Sequence, residues 1–147
     1  MIVVTSVAGR LDAHAPDPRT IEWVLLDFES MARGHQHVRT GAGTELAVSL
    51  PRGVRLSDGD VLYADAERVI AVKAADEDAL VIMPVDPMHW GLAGFQLGNR
   101  HCAAHFQPEA ILVPYDHTLE AFLQDLGVPF RRERRPLVGT RASAHAH

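Results

Sequence analysis

The sequence predicts an α+β protein with an all-β N-terminal domain, a C-terminal domain of mixed helices and strands, and a disordered tail. Residues 1–75 hold short β-type runs separated by turn residues, whereas the following segment alternates strand patterns with two helix patterns. After Pro136 the chain offers mainly Gly, Thr, Arg, Ala, Ser and His, which leave little to bury. We therefore place the domain boundaries at 1–75, 76–136 and 137–147.

The N-terminal domain is predicted from runs of apolar and β-branched residues. Residues 44–50 alternate imperfectly between polar and apolar, as a half-buried strand does, and Asp58-Gly59 marks a tight turn. A polar stretch over 75–78 is the expected boundary. The predicted strands cover 2–7, 21–26, 45–50, 61–63 and 69–73.

The second half of the sequence alternates strand patterns with helix patterns. A short apolar run over 79–83 predicts a buried strand, and Asp86-Pro87 is typical of a helix start, with the helix running to about Leu97. Asp116 caps a second helix that ends at Gly127. Adding strands over 104–107, 110–113 and 128–132 gives the order βαββαβ, which is the ferredoxin-like arrangement.

Composition excludes several classes of protein. The chain has 14 Lys and Arg against 19 Asp and Glu, for a net charge of −5, so nucleic acid is a poor first hypothesis. No apolar run approaches the roughly 20 residues that span a bilayer, and the first residues lack the pattern of a signal peptide. With one cysteine there is no internal disulfide. We expect a soluble cytoplasmic protein without a membrane partner.

His101 is the strongest candidate for a metal ligand. Gly98 and Asn99 readily take the left-handed backbone that stops a helix, so they are expected to cap the first helix and fix His101 at its exit. The flexible tail adds His145 and His147, and imidazole suits Ni, Cu, Zn and Co. A fixed imidazole with a mobile pair favours metal transfer over permanent binding. The alternative is a helix-end histidine that simply faces water.

Other side chains give weaker indications. His117 starts the second helix, where the positive helix end helps to keep it neutral, although a solvated histidine remains the alternative. His35 and His37 would share one face of a strand, or else lie in a solvated turn. Cys102 is expected to be a small buried residue rather than a thiolate ligand. The arginine-rich run over 131–135 indicates a solvated sheet edge, or a surface for an acidic partner.

Motifs of enzymes are missing from the sequence. It has no phosphate-binding glycine loop, no His-Glu-x-x-His, no Gly-x-Ser-x-Gly and no Cys-x-x-Cys. We therefore predict that the protein is not an enzyme.

Three segments in order resemble the UreE-type urease accessory proteins, which are nickel metallochaperones. The first is 50–60, with Leu-Pro-Arg-Gly and Asp-Gly-Asp; the second is 97–101, Leu-Gly-Asn-Arg-His; the third is 114–119, Pro-Tyr-Asp-His-Thr-Leu, followed by a helix that ends in Leu-Gly. The match spans nearly the whole chain.

The resemblance implies a homodimer joined through the C-terminal domain, with His101 of both subunits on one Ni²⁺ ion at the interface. His145 and His147 would complete or feed that site, His117 would be a secondary ligand, and Zn²⁺ or Cu²⁺ would fit the same imidazoles. The implied partners are the urease accessory GTPase and the urease apoprotein complex, with the N-terminal domain contacting partners.

Two other functions stay open from the sequence. One is a metal-dependent hydrolase with His101 and His117 as ligands, which would need an acidic general base in a closed pocket. The other is a protein-binding adaptor whose metal affinity is incidental.

Overall fold

The computed structural model describes residues 1–142 and shows a mixed α+β protein made mostly of strands. The chain divides into two compact units, the first Met1–Ala75 and the second beginning at Asp76. Among the helices of residues 1–142, none combines the length and the apolar character that crossing a membrane requires.

The first unit consists of two sheets and one short helix. Its elements are β1 (Ile2–Val4), β2 (Gly9–Arg10), β3 (Thr20–Leu26), α1 (Phe28–Met31), β4 (His35–Arg39), β5 (Glu45–Ser49), β6 (Asp60–Ala64) and β7 (Arg68–Ala74). The sheets have the strand orders β1-β5-β4 and β2-β6-β7-β3. Alternation along β5 buries Leu46 and Val48, as the sequence predicts. The short helix α1 was not predicted, although Asp27 caps it by accepting from the Ser30 amide at 2.7 Å.

A polar network ties the two sheets of the first unit together. The hydroxyls of Thr40 and Thr44, at either end of the β4–β5 turn, each donate to Oε1 of Glu22 on β3 at 2.7 Å. Arg68 on β7 donates from Nη1 to Oε2 of the same carboxylate at 3.0 Å. The hydrogen bonds from Thr44, Thr40 and Arg68, in that order, lower the pKa of Glu22.

Glu22→Gln is expected to lower the free energy of unfolding by about 1.5–3 kcal/mol at pH 7, because the hydrogen bonds to this group lose their charge and the amide nitrogen of glutamine cannot accept from Arg68. The pKa of Glu22 is lower in the folded chain than in the unfolded chain, where it is about 4.3. The stabilisation that Glu22 gives is therefore complete above the pKa of the unfolded chain and is lost as pH falls through the pKa of the folded chain. Urea unfolding at several pH values should show the difference between wild type and variant shrinking in acid. Exposed Glu67→Gln is the matched control. A pH-independent difference would contradict the prediction.

The second unit has five strands and two helices within the part of the chain that is described. Its elements are β8 (Asp76–Ile82), α2 (Pro87–Asn99), β9 (Ala104–Phe106), β10 (Ile111–Pro114), α3 (His117–Leu126), β11 (Phe130–Pro136) and β12 (Thr140–Ala142). The strand order is β11-β8-β10-β9-β12, and all neighbours are antiparallel. Ala93 and Leu97 of α2 share one buried cluster with Leu119 and Leu123 of α3 and with the sheet, so both helices cover the same face.

The polar stretch expected at the domain boundary is part of a strand. Only Ala75 separates β7 from β8, and β8 begins at Asp76. The acidic residues are tolerated in the strand because β11 lies opposite with its arginines. Arg132 donates from Nε and Nη2 to the two carboxylate oxygens of Asp78, at 3.0 and 2.8 Å.

The prediction of a disordered tail from residue 137 is wrong for residues 137–142. Leu137 is buried, and Thr140–Ala142 form β12, which pairs with β9. The backbone of the sheet edge at β9 accepts a short strand even though its side chains have little to bury, which composition alone does not reveal. Residues 143–147 lie outside the described part of the chain.

Candidate metal centre

The end of α2 places His101 in an unusual backbone conformation. The Cys102 amide donates to the Leu97 carbonyl at 3.0 Å and the His101 amide to the Gly98 carbonyl at 3.1 Å, which together form a Schellman motif. His101 occupies its left-handed position with φ 55°, and it is the one non-glycine residue with positive φ in residues 1–142. The prediction that Gly98 and Asn99 cap the helix is therefore wrong, because both belong to α2.

A left-handed residue with a side chain carries a conformational cost of about 1–2 kcal/mol. Glycine normally fills this position of the motif because it has no Cβ. A histidine held there by the hydrogen bonds of a helix end presents an exposed imidazole from a fixed backbone. Such an outlier points to a functional role for the side chain.

The segment that carries His101 is tied to the start of α3, where His117 lies. Arg100 donates from Nη1 to the Thr118 hydroxyl at 3.1 Å, and its guanidinium lies 5.4 Å from the centre of the Phe122 ring. Asp116 caps α3, and its carboxylate accepts hydrogen bonds from the hydroxyl and the amide of Thr118. These hydrogen bonds lower the pKa of Asp116, and the one from the hydroxyl has the larger effect. His117 is the exposed first residue of the helix.

One protomer does not assemble a full set of metal ligands from the described residues. Within residues 1–142, no three or more side chains of His, Cys, Asp or Glu lie together in a way that could hold a metal ion. Cys102 is half-buried, and burial, with a smaller effect of Asp116, raises the pKa of its thiol. A metal site at His101 would therefore need ligands beyond the described residues of one chain.

A groove of about 210 Å³ runs beside the end of α2. Its walls include Leu97 and Gly98 of the helix, Cys102, and Ala142 at the end of β12. Gly98 and Cys102 flank the segment with His101, and they line the same groove as Ala142. The end of β12 therefore lies near this helix end. His145 and His147 follow Ala142 and lie outside the described residues.

Two family models match the chain. UreE urease accessory protein, N-terminal domain, covers residues 4–75, and UreE urease accessory protein, C-terminal domain, covers residues 67–147. The chain belongs to the UreE family. It is 36% identical over 134 residues to the urease accessory protein UreE of Geobacillus kaustophilus, covering 91% of this chain and 90% of that protein. It is 34% identical over 149 residues to UreE of Staphylococcus aureus strain MRSA252, covering 99% of each.

Membership of the UreE family gives the chain an accessory role in urease maturation, and confirms the resemblance noted in the sequence. The family is named for an accessory protein rather than for an enzyme.

An apolar stripe on α2 was not anticipated from the sequence. Met88 is 69% exposed, Leu92 38% and Phe95 69%, and their spacing of four and three residues places them on one side of the helix. The same spacing is visible in the sequence, although the helix also has a buried face. In this UreE-family chain, the helix that ends at His101 thus presents an exposed apolar surface.

Proposed function

We propose that this UreE-family chain is a metallochaperone that binds Ni²⁺ through His101 of two copies and delivers it for assembly of the urease active site. The observation that carries the proposal is the left-handed His101 at the end of a helix with an exposed apolar stripe. The histidine has a conformational cost, and metal binding is a function that requires its imidazole there.

The stripe of Met88, Leu92 and Phe95 supports a homodimer. Two copies related by a twofold axis use the same surface, so each residue near the axis is contributed twice. If the α2 stripes pair, the end of each helix contributes one His101. Two imidazoles then come from a single position in the sequence. This arrangement explains why the described residues of one chain do not supply three ligands by themselves.

The groove beside α2 supports a contribution from His145 and His147. An extended chain spans at most about 3.6 Å per residue, so the chain length allows up to roughly 11 Å between the Cα atoms of positions 142 and 145. Ala142 lines the groove with Gly98 and Cys102, so that distance suffices to approach the helix end. Tail imidazoles that leave one at a time suit transfer of Ni²⁺, and Zn²⁺ or Cu²⁺ would fit the same donors.

The remaining assignments follow from the same proposal. His117, tied to the His101 segment through Arg100 and Thr118, would be a secondary ligand. We propose the second unit as a ferredoxin-like metal-binding and dimerisation domain, and the first unit as the partner-binding domain. The partners would be the urease accessory GTPase and the urease apoprotein complex, in the cytoplasm.

Phe95→Glu tests whether two copies form the site. The charge should prevent pairing of the stripes and give a monomer, and the tight Ni²⁺ ion, expected at one per dimer, should be lost although His101 is unchanged. Native mass spectrometry and calorimetric Ni²⁺ titration measure both quantities. Leu25→Glu is the matched control, since Leu25 is 64% exposed and belongs to the first unit.

The control should remain a dimer with its tight ion. A Phe95→Glu variant that stays dimeric, or a monomer that keeps the tight ion, would show that the stripe does not assemble the site.

A further inference from the structure

The imidazoles of His35 and His37 lie on one face of a strand in the first unit. β4 exposes every second residue, so both histidines point outward while Gln36 and Val38 are half-buried. A strand rises about 3.4 Å per residue, which places the two Cα atoms roughly 7 Å apart. Two rings that project the same way from this spacing can converge on one ion.

The neighbouring strand orients the first of these rings. Ser49 pairs with His35 across the β4–β5 ladder, and its hydroxyl lies 3.0 Å from Nδ1 of His35. In the tautomer with hydrogen on Nδ1, the ring donates to Ser49 and leaves the lone pair of Nε2 available. A hydrogen bond from the second ring nitrogen is the usual support of a metal-bound histidine.

The surroundings of His37 leave room for an ion and include one carboxylate. Ala47 pairs with His37 and offers only a methyl group on the shared face. Arg39, the next outward residue of β4, is paired with the carboxylate of Glu45. Glu45 also interacts electrostatically with the amino terminus and with His37, so one carboxylate faces the two cationic groups beside this strand.

We propose that His35 and His37 form a two-imidazole clamp for a divalent transition metal ion, with Cu²⁺ bound more tightly than Ni²⁺ or Zn²⁺. The order follows from the general affinity of nitrogen donors for these ions. No third His, Cys, Asp or Glu joins the pair within residues 1–142, so solvent fills the other positions and the ion exchanges readily. The clamp lies in the unit that lacks His101.

Equilibrium dialysis of the full chain against Cu²⁺ tests the clamp. His35→Ala combined with His37→Ala should lose one Cu²⁺ per chain, together with an electron paramagnetic resonance signal that shows two nitrogen ligands. His14→Ala, an exposed histidine in a turn, is the matched control and should lose none. His101→Gly should keep the Cu²⁺ ion at the clamp. This variant therefore distinguishes failure of the clamp from failure of the nickel site. Unchanged Cu²⁺ stoichiometry in the double variant would overturn the proposal.

A gain of affinity gives a second test. Ala47→His adds an imidazole directly across from His37, where paired Cβ atoms lie about 4.5–5.5 Å apart. Cu²⁺ binding at the clamp should tighten by about tenfold, or about 1.4 kcal/mol. The same substitution without His35 and His37 should give no comparable gain. An equal gain in both backgrounds would show that the two histidines do not act as a pair.

Discussion

His101→Gly is expected to weaken tight Ni²⁺ binding by at least about 100-fold while making the second unit more stable. Loss of even a hydrogen-bond partner of a metal ligand costs 10- to 100-fold in affinity, and under the proposed function this variant removes a ligand from both copies. Glycine relieves a left-handed cost of about 1–2 kcal/mol but is more disordered when unfolded, so the net gain is roughly 0.5–1 kcal/mol. Calorimetric Ni²⁺ titration and thermal unfolding measure the two effects.

His101→Ala separates the two effects. Alanine has a Cβ and keeps the left-handed cost, so this variant should lose the metal as glycine does but remain within about 0.5 kcal/mol of wild-type stability. A glycine variant that is less stable than the alanine variant would show that φ 55° at position 101 carries no strain. A tight ion of unchanged stoichiometry in either variant would exclude His101 as the ligand.

Gly139→Ala is expected to release β12 from the sheet and to weaken Ni²⁺ binding. A Cβ at this position would lie 2.6 Å from the Phe106 carbonyl oxygen, and φ is 137°, so both contact and backbone oppose the change. Residues 140–142 should lose hydrogen-exchange protection, at a cost of about 1–3 kcal/mol. Because the tail then starts from a free end, the effective concentration of its imidazoles at the site falls.

Gly53→Ala is the matched control for this variant. Gly53 also has positive φ, 85°, but an added Cβ there meets nothing within 4 Å. It should lose some stability in the first unit and keep both β12 and the Ni²⁺ affinity. If Gly139→Ala frees β12 without changing the affinity, the tail does not depend on the strand for its position.

Much of the fold follows from local patterns in the sequence. Asp86-Pro87 and Asp116 mark helix starts that the structure shows, and Gly127 ends α3 in the left-handed conformation with φ 73°. These features are set by residues close in sequence. β12 could not be predicted, because its three exposed residues are held mainly by backbone pairing with β9, a strand about 35 residues earlier in the chain.

The sequence proposes candidate ligands for a metal site but does not give the local geometry around them. The sequence singles out His101. Gly98 and Asn99, which precede it, wrongly indicate that the helix ends at them. In the structure the left-handed residue is His101 itself. The position of a helix end depends on the packing of Leu97 and on the hydrogen bond of the Cys102 amide as well as on helix propensity. The roles of His101, His117, His145 and His147 as ligands stay predictions.

The two edges of the second sheet have a consequence for the size of any assembly that the chain forms. β11 carries four arginines, and β12 has only three residues, so each edge has a feature that discourages strand addition by another copy. Edge addition is open-ended and leads to filaments, whereas pairing through one helix face closes after two copies. If the α2 stripe is the contact and the proposed function holds, the assembly has a fixed end point, and the number of metal ions bound per particle is a small whole number independent of protein concentration.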